Sequence, residues 1–298
     1  MLQQRPRLAV TLGDPRGIGP EIVAAALGVL GGEAEWVVVG PTGCGLPVQE
    51  STGAWTPGSR DVALAGHLAG RAIERAVDLV RQGTVQGIVT GPIDKAALLA
   101  GGFNYPGHTE MLAALTGATV AMMLASERLR VVLATTHIAL RDVPAAVTRE
   151  SLASAVRVTR EGLTRWFGIA TPRLALCALN PHAGDSGRFG REDDELLAPL
   201  ARELGVAGPY AADTVFVRAM QGQFDAVIAP YHDVGMTAIK VASFGHAVNV
   251  TLGLPFPRTS PDHGTALDIA GQGIADPASM IAAMREAVRM VRLVWPGS

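Results

Sequence analysis

The sequence of 298 residues is poor in residues that mark several large classes of protein. Cysteine occurs only at Cys44 and Cys177, in no CxxC pair, which excludes a disulfide framework and a thiolate zinc site. The formal net charge is -2 and no Lys/Arg run is present, so the chain offers no basic surface to a nucleic acid or an anionic membrane. These absences favour small-molecule chemistry.

Long apolar segments are absent as well. No stretch approaches the roughly 18 uninterrupted apolar residues of a membrane-spanning helix, and the N-terminus "MLQQRPRLAVTLGD" turns directly into a strand-like run. The dinucleotide fingerprint GxGxxG is missing too, since the loop "TLGDPRGIGPEI" has Pro20 at the start of its helix. We therefore expect a cytoplasmic protein in a reducing compartment, without a standard Rossmann loop.

Apolar residues are plentiful, at 48% of the chain. Short apolar runs alternate with helical patterns, which predicts strand-helix units around a mostly parallel sheet. The predicted strands cover residues 7–13, 35–40, 86–91, 119–124, 130–136, 173–179, 225–230 and 247–252. Amphipathic helices are predicted at residues 68–83, 149–168 and 277–294.

This pattern predicts the α/β class, with two α/β/α domains and a cleft between them. Gly/Pro loops in both the N- and C-terminal thirds indicate a discontinuous first domain. Its predicted extent is residues 1–125 with 253–298, and the second domain covers 126–252. The Gly-, Pro- and Ser-rich stretch at 41–60 is predicted to be a surface excursion.

Three histidines occupy the same place in three different strand-helix units. His137 follows "RVVLATT", His182 follows "RLALCALNP" and His232 follows "DAVIAPY". Because open α/β sheets bind ligands at the carboxyl ends of their strands, we predict that these imidazoles hold a divalent metal with an open position. The alternative is that each histidine only forms a hydrogen bond at its strand end.

Two charged residues are candidates for proton transfer on position alone. Asp233 is adjacent to His232, and Lys95 lies in the strand-to-helix loop of "TGPIDKAAL". Asp233 can equally orient a ligating imidazole. Lys95 can equally be a solvated surface charge.

Two further stretches suit an anionic substrate. In "PGHTEML", His108 and Thr109 precede a helix whose free N–H groups can face a phosphate, although Thr109 can also be an ordinary N-cap. Lys240, Asn249 and Arg258 fall within twenty residues, on predicted strand ends or loops, among apolar neighbours. A phosphate or a carboxylate would satisfy that trio.

These residues stand in blocks by which the chain resembles the 4-hydroxythreonine-4-phosphate dehydrogenase family of vitamin B6 biosynthesis. The blocks run in family order from about residue 8 to 275: "GDPRGIGPEI", "TGPIDKAAL", "GHTEML", "TTHIALRDV", "LNPHAGDSGRFGRE", "YHDVGMTAIK" and "VNVTLGLPFPRTSPDHGTALDIAG". The first block also resembles the "GDGIGPE" opening of isocitrate and isopropylmalate dehydrogenases, which implies their fold.

The resemblance implies a homodimer with its active site near the partner subunit, NAD as hydride acceptor and one divalent metal. It assigns His137, His182 and His232 to the metal, and it assigns substrate binding to His108, Thr109, Lys240, Asn249 and Arg258. The cofactor would lie along the Gly-rich residues 180–190 and the region 251–268. Zinc is the first expectation for three imidazoles, with magnesium, manganese or cobalt possible, and NADP remains an alternative to NAD.

The implied reaction is oxidation of a secondary alcohol followed by loss of carbon dioxide, giving 3-amino-2-oxopropyl phosphate from 4-phosphooxy-L-threonine. Similar enzymes act on 4-phospho-D-threonate, on 4-phospho-D-erythronate or on a cyclic dihydrodiol carboxylate. The chain departs from the family pattern at Asp94 and Val234, which keeps those substrates open. A metal-dependent hydrolase and a non-catalytic metabolite-binding protein are the alternatives from other classes.

Overall fold

The structure is a computed structural model that describes residues 5–243 and 246–295. None of the helices in those two ranges combines the length and the apolar character needed to cross a membrane. Its regular elements alternate along the chain between strands and helices, as the sequence pattern predicts.

Eleven strands form within the described residues. They are β1 (Arg7–Thr11), β2 (Glu35–Thr42), β3 (Glu50–Ala54), β4 (Gly87–Thr90), β5 (Ala121–Ala125), β6 (Arg130–Leu133), β7 (Leu174–Cys177), β8 (Ala207–Tyr210), β9 (Ala226–Ala229), β10 (Val248–Leu252) and β11 (Arg258–Pro261). All eight strands predicted from apolar runs are present. The others, β3, β8 and β11, have the sequences ESTGA, AGPY and RTSP, which contain no apolar run.

Ten α-helices are described in the same part of the chain. They are α1 (Gly19–Leu30), α2 (Val62–Arg81), α3 (Lys95–Ala100), α4 (His108–Thr116), α5 (Val143–Ala146), α6 (Arg149–Phe167), α7 (Ala198–Leu204), α8 (Ala212–Met220), α9 (His232–Ser243) and α10 (Ala278–Val294). The three predicted amphipathic helices correspond to α2, α6 and α10. Short 3₁₀ turns span Leu140–Asp142 and Pro181–Gly184, and a π-helical turn spans Asp193–Leu197.

The first of two compact units comprises Met1–Ala118 and Leu254–Ser298. Its strands lie in the order β3-β2-β1-β4-β11 and all pair in parallel. Strand β4 is buried along its whole length, and so is β1 after its first residue. Helix α2 packs on β1 and β2, while α10 packs on α1, β4 and β11.

The second unit comprises Thr119–Gly253. Its strands lie in the order β10-β5-β6-β9-β7-β8. The pairs of β5 with β10 and with β6 are antiparallel, and the remaining pairs are parallel. The core combines β6 and β9 with α9, through Leu133, Val227, Met236 and Ile239 among others. Both units thus have the predicted α/β architecture with mostly parallel strands.

The division differs from the predicted domain limits in detail. The predicted first boundary, after residue 125, would leave β5 in the first domain, whereas the structure places the whole of β5 in the second unit. Strand β5 pairs with β6 and β10 of that unit, which explains its membership. The second boundary falls after Gly253 rather than after residue 252. The stretch 41–60, predicted to be a surface excursion, contains β3, which pairs with β2.

Close backbone contact between α2 and α3 depends on Gly66. A Cβ added at Gly66 would lie 1.7 Å from the carbonyl oxygen of Ala97, a distance that no side-chain adjustment relieves because the obstacle is backbone. In contrast, Gly28 near the end of α1 is exposed, and a Cβ added there would meet no atom within 4 Å.

We predict opposite effects of alanine at these two glycines. Gly66→Ala should lower the free energy of unfolding by about 1–3 kcal/mol because α3 must move away. Gly28→Ala should raise it by about 0.5–1 kcal/mol, since alanine is the better helix former. Urea denaturation followed by circular dichroism measures both. Equal effects of the two substitutions would contradict the described packing of α2 on α3.

Candidate active site

The three candidate metal ligands follow three neighbouring parallel strands of the second unit. Strand β9 lies between β6 and β7, pairing Leu133 of β6 with Ala229 and Leu176 of β7 with Ile228. His137 follows β6, His232 follows β9 and His182 follows β7. Because neighbouring strands lie about 4.8 Å apart and run in the same direction, their carboxyl ends share one edge of the sheet.

Backbone and side-chain bonds join the two loops that carry His137 and His232. The Ala134 N–H donates to the carbonyl of Ala229 at 2.9 Å, and the Thr135 hydroxyl donates to the carbonyl of Pro230 at 2.7 Å. The two imidazole rings then lie 5.4 Å apart, centroid to centroid. The prediction that strand ends bring histidines together holds for this pair.

A carboxylate orients one of these rings. Asp233 Oδ1 lies 2.7 Å from His232 Nδ1, so that Nδ1 donates to Asp233 when it carries a proton, and the other ring nitrogen, Nε2, is left for a ligand. His232 is the first residue of α9, where the sequence analysis placed a loop. The helix approaches β6 closely at Gly235, whose added Cβ would lie 2.9 Å from side-chain atoms of Leu133 and Val131.

The His137–His232 pair fits a divalent cation, because two imidazoles supply nitrogen ligands and the neighbouring carboxylate sets the tautomer of one. Within residues 5–243 and 246–295, however, no three or more His, Cys, Asp or Glu side chains are grouped so as to hold a metal ion. The structure thus brings two of the three predicted ligands together, and the assignment of His182 stays a prediction.

His182 lies on an unusual turn. Residues 182–187 all have positive φ, including His182 at 54°, Ala183 at 55°, Asp185 at 44° and Ser186 at 57°. A left-handed backbone costs about 1–2 kcal/mol for each residue that has a Cβ. Such strain persists only where the surroundings enforce it, and it concentrates at functional sites. The His182 side chain is exposed, with the ring of Phe189 at 6.3 Å.

The predicted anion site of the first unit surrounds the start of α4. The N-cap is Gly107, and no side chain caps the helix, so Thr109 is the second helical residue and the alternative of Thr109 as N-cap is wrong. The Nε2 atom of His108 is buried without a hydrogen-bond partner. Burial lowers the pKa of His108 well below its usual value, with smaller contributions from the charges of Arg258 and Lys95. This imidazole is therefore neutral at pH 7.

Arg258 is the largest buried charge near His108, with an exposure of 1%. It donates to the Thr90 hydroxyl at 2.5 Å, across the parallel pair of β11 and β4. Burial lowers the pKa of Arg258 to about 9, and the charge of Glu110 partly offsets this. Arg258 is therefore still cationic at neutral pH. Thr90 and Glu110 were not identified from the sequence, although Glu110 stands in the "GHTEML" block itself.

Lys95 is the first residue of α3, at the strand-to-helix junction where the sequence analysis placed it. A Cβ added at Gly107 would lie 3.7 Å from Lys95 Cε, which puts this lysine beside the start of α4. The preceding Asp94 caps α3 by accepting from Ala97 N at 2.6 Å, and it also lies 3.6 Å from the Arg16 guanidinium. The departure from the family pattern at Asp94 thus has a local structural role.

Lys240 and Asn249 belong to the second unit. Lys240 is an exposed residue of α9, so the expectation that it lies on a strand end or loop is wrong, whereas Asn249 lies at the start of β10. The Oδ1 atom of Asn249 is buried and has no hydrogen-bond partner, which leaves it available to a donor.

Residues 41–287 match the family described as "Pyridoxal phosphate biosynthetic protein PdxA". A relative from Beijerinckia indica, named 4-hydroxythreonine-4-phosphate dehydrogenase, is 44% identical, with 95% of this chain and 94% of that protein covered. The crystal structure of 4-hydroxythreonine-4-phosphate dehydrogenase from Klebsiella pneumoniae is 39% identical, with a TM-score of 0.84 over 96% of this chain and 99% of that one.

Two more distant structures are also similar. A terephthalate 1,2-cis-dihydrodiol dehydrogenase from Burkholderia xenovorans is 28% identical, with a TM-score of 0.67 over 96% of this chain and 98% of that one. Isocitrate dehydrogenase from Methylococcus capsulatus is 17% identical, with a TM-score of 0.55 over 97% of this chain and 86% of that one. The second likeness confirms the predicted fold class and concerns the fold alone.

The lowered pKa of His108 predicts a pH dependence of stability. Below the unfolded pKa of about 6.5, the unfolded chain gains a proton at His108 that the folded protein excludes. His108 should therefore lower the free energy of unfolding by about 1.4 kcal/mol for each pH unit below the unfolded pKa. This decrease should continue until the pH reaches the pKa of His108 in the folded protein. This stability is present above the unfolded pKa and lost below it.

Urea denaturation at several values between about pH 5 and pH 7 tests this linkage. His108→Gln should reduce the slope of the free energy of unfolding against pH by the contribution of one proton. His67→Gln, on the exposed face of α2, is the matched control and should leave that slope unchanged. If the wild-type and His108→Gln proteins lose stability in parallel as the pH falls, His108 is not the neutral, desolvated group described.

Proposed function

The chain belongs to the family of pyridoxal phosphate biosynthetic protein PdxA, and on that premise we propose that it oxidises and decarboxylates 4-phosphooxy-L-threonine to 3-amino-2-oxopropyl phosphate. NAD is the proposed hydride acceptor and a divalent metal the proposed assistant. The product is used to make pyridoxal 5'-phosphate in this proposal. A homodimer and a cytoplasmic location belong to the same proposal.

The observation that carries the proposal is the placement of His137, His182 and His232 after three adjacent parallel strands. A metal site accounts for imidazoles at three neighbouring strand ends by a single requirement, because ligands bind at the carboxyl ends of parallel strands. The 5.4 Å separation of the His137 and His232 rings supports the assignment of both as ligands. We propose that His182 completes the set.

A divalent cation at these imidazoles would stabilise the negative charge that develops on the reacting oxygen. Asp233 already accepts a hydrogen bond from His232, as a carboxylate that orients a ligating imidazole does. We therefore propose that Asp233 orients His232. Lys95, at the first turn of α3, is then the candidate for proton transfer, and it would accept the proton of the substrate hydroxyl only after releasing its own proton.

The substrate carries a phosphate and a carboxylate, and the first unit offers a site suited to one of them. The start of α4 has free N–H groups and no side-chain cap, and the cations Arg258 and Lys95 lie close to His108. A neutral His108 can donate to an anion through Nε2 without adding charge. We propose that His108, Thr109 and Arg258 bind substrate here, and that Lys240 and Asn249 of the second unit bind it through their own polar atoms.

The proposed NAD contacts come from residues 180–190 and 251–268. In the second of these regions, His263 Nδ1 lies 3.0 Å from the carbonyl of Gly264 and therefore carries the proton. Its Nε2 is buried without a partner, so it is an acceptor that a ligand can satisfy. This orphaned nitrogen fits a bound cofactor. NAD would supply hydride acceptance in this region.

The likeness to a terephthalate dihydrodiol dehydrogenase favours one alternative, oxidation of a cyclic dihydrodiol carboxylate. Such a substrate has a carboxylate and no phosphate. Related enzymes for 4-phospho-D-threonate or 4-phospho-D-erythronate would keep the phosphate. All of these substrates need the same metal and cofactor, so only the substrate test separates them.

We predict that metal-loaded protein mixed with NAD and 4-phosphooxy-L-threonine produces reduced nicotinamide and carbon dioxide in equal amounts. Removing the metal with a chelator should lower the rate at least about 100-fold, because metal stabilisation is worth several kcal/mol, and adding Zn²⁺ or Co²⁺ should restore it. His137→Ala should behave like the chelated protein, while His67→Ala should not. Nicotinamide reduction with a cyclic dihydrodiol alone would refute the proposed substrate.

Arg258→Lys should raise the KM for the phosphorylated substrate about 10- to 100-fold. Lysine keeps the charge but loses the two-pronged donor geometry, and a hydrogen bond to a charged group is worth about 1.5–3 kcal/mol. Arg71→Lys is the matched control, because Arg71 is an exposed residue of α2 that pairs with Glu74 of the same helix. Steady-state kinetics on variants with wild-type melting curves measure the effect. An unchanged KM would remove Arg258 from the substrate site.

A further inference from the structure

The turn that carries His182 is held at its base by a carboxylate outside the predicted set. Asp193 is fully buried, with an exposure of 0%. Its Oδ1 accepts from Leu179 N at 2.8 Å, and its Oδ2 accepts from Asn180 N at 3.0 Å and from Asn180 Nδ2 at 2.9 Å. Asn180 stands two residues before His182, so both its backbone and its side chain are fixed.

Other contacts close the same turn. Glu192 Oε2 accepts from Asn180 Nδ2 at 2.8 Å. Phe189 N donates to the carbonyl of Gly184 at 3.1 Å, and a Cβ added at Gly184 would lie 3.7 Å from Asp193 Cβ. Asp193 therefore lies against the turn as well as beneath its entrance.

Burying the Asp193 carboxylate beneath this turn carries a large desolvation cost. In the part of the chain that the structure describes, no Lys or Arg forms an ion pair with Asp193, so N–H donors alone offset its desolvation. It begins the π-helical turn Asp193–Leu197, an irregular element that is frequent at functional sites. The left-handed backbone at residues 182–187 explains why a buried carboxylate is placed here, because a strained turn persists only when its ends are fixed.

We infer that Asp193 is a positioning residue, which holds the turn at residues 182–187 and thereby sets where the His182 imidazole meets the divalent cation. This inference rests on the proposed metal site. Asp193 has no contact with the substrate in this role and acts only through His182. Asp193→Asn places an NH₂ group where one of three N–H donors needs an acceptor, so the turn loses an anchor without a change in side-chain size.

The test is Co²⁺ affinity, measured by competition with a chromophoric chelator and by the cobalt absorption spectrum. Asp193→Asn should weaken binding about 10- to 100-fold, as loss of a residue that orients a ligand does. Asp194→Asn, the same change at the exposed neighbouring residue, should leave affinity unchanged. In a His182→Ala background, Asp193→Asn should change affinity by less than roughly twofold, because its effect passes through His182.

Three outcomes overturn the inference. Wild-type affinity in folded Asp193→Asn refutes it while leaving the metal site intact. An equal loss in the wild-type and His182→Ala backgrounds refutes it too, because the effect is then general. Wild-type protein that binds no Co²⁺ through His182 refutes the proposed metal site and the inference with it.

If Asp193→Asn does not fold, Glu192→Gln is the milder variant, since it weakens only the bond to Asn180 Nδ2. A smaller loss of Co²⁺ affinity that disappears in the His182→Ala background is then expected. A loss that persists in that background overturns the inference.

Discussion

The parallel register of β6, β9 and β7 is the constraint on which the candidate active site depends. Because the three strands run in the same direction, the chain leaves each of them at one edge of the sheet, and His137 and His232, which are remote in sequence, become neighbours in space. Hydrogen bonds from Ala134 and Thr135 to the β9 exit then fix the separation of two imidazoles.

The candidate residues of the two units differ in charge and in burial. In the second unit, the His137 and His182 side chains are exposed, so their polar atoms carry little desolvation cost. In the first unit, the buried Arg258 is already charged, and Thr90 and the charge of Glu110 offset only part of its desolvation. A neutral His108 avoids adding a further charge beside Arg258 and Lys95.

The sequence predicted the features that depend on apolar pattern and on loop position. All eight apolar strands formed, and His137 and His232 met because their strands are parallel neighbours. What it missed depended on tertiary context. Strands β3, β8 and β11 are polar or contain proline, and they pair because their neighbours offer an open edge. Helix α9 was not predicted, and its close packing on β6 depends on Gly235. Asp193 could not be chosen from the acidic run "REDDE", because only burial distinguishes it from Asp194.

Burial also explains why some candidate residues are exposed, as His137 and His182 are, and others are buried, as Arg258 and Asp193 are. A group that must exchange its ligand, such as an imidazole that loads a metal, needs a path to solvent, and the exposed His137 and His182 have one. A group that must discriminate an anion gains from low dielectric, because each charge-assisted hydrogen bond strengthens when water is excluded, as at Arg258. The exposed ligands then need rigid support from below. In the proposed site, buried Asp193 beneath the His182 turn supplies that support from the core, while His182 itself stays open to solvent.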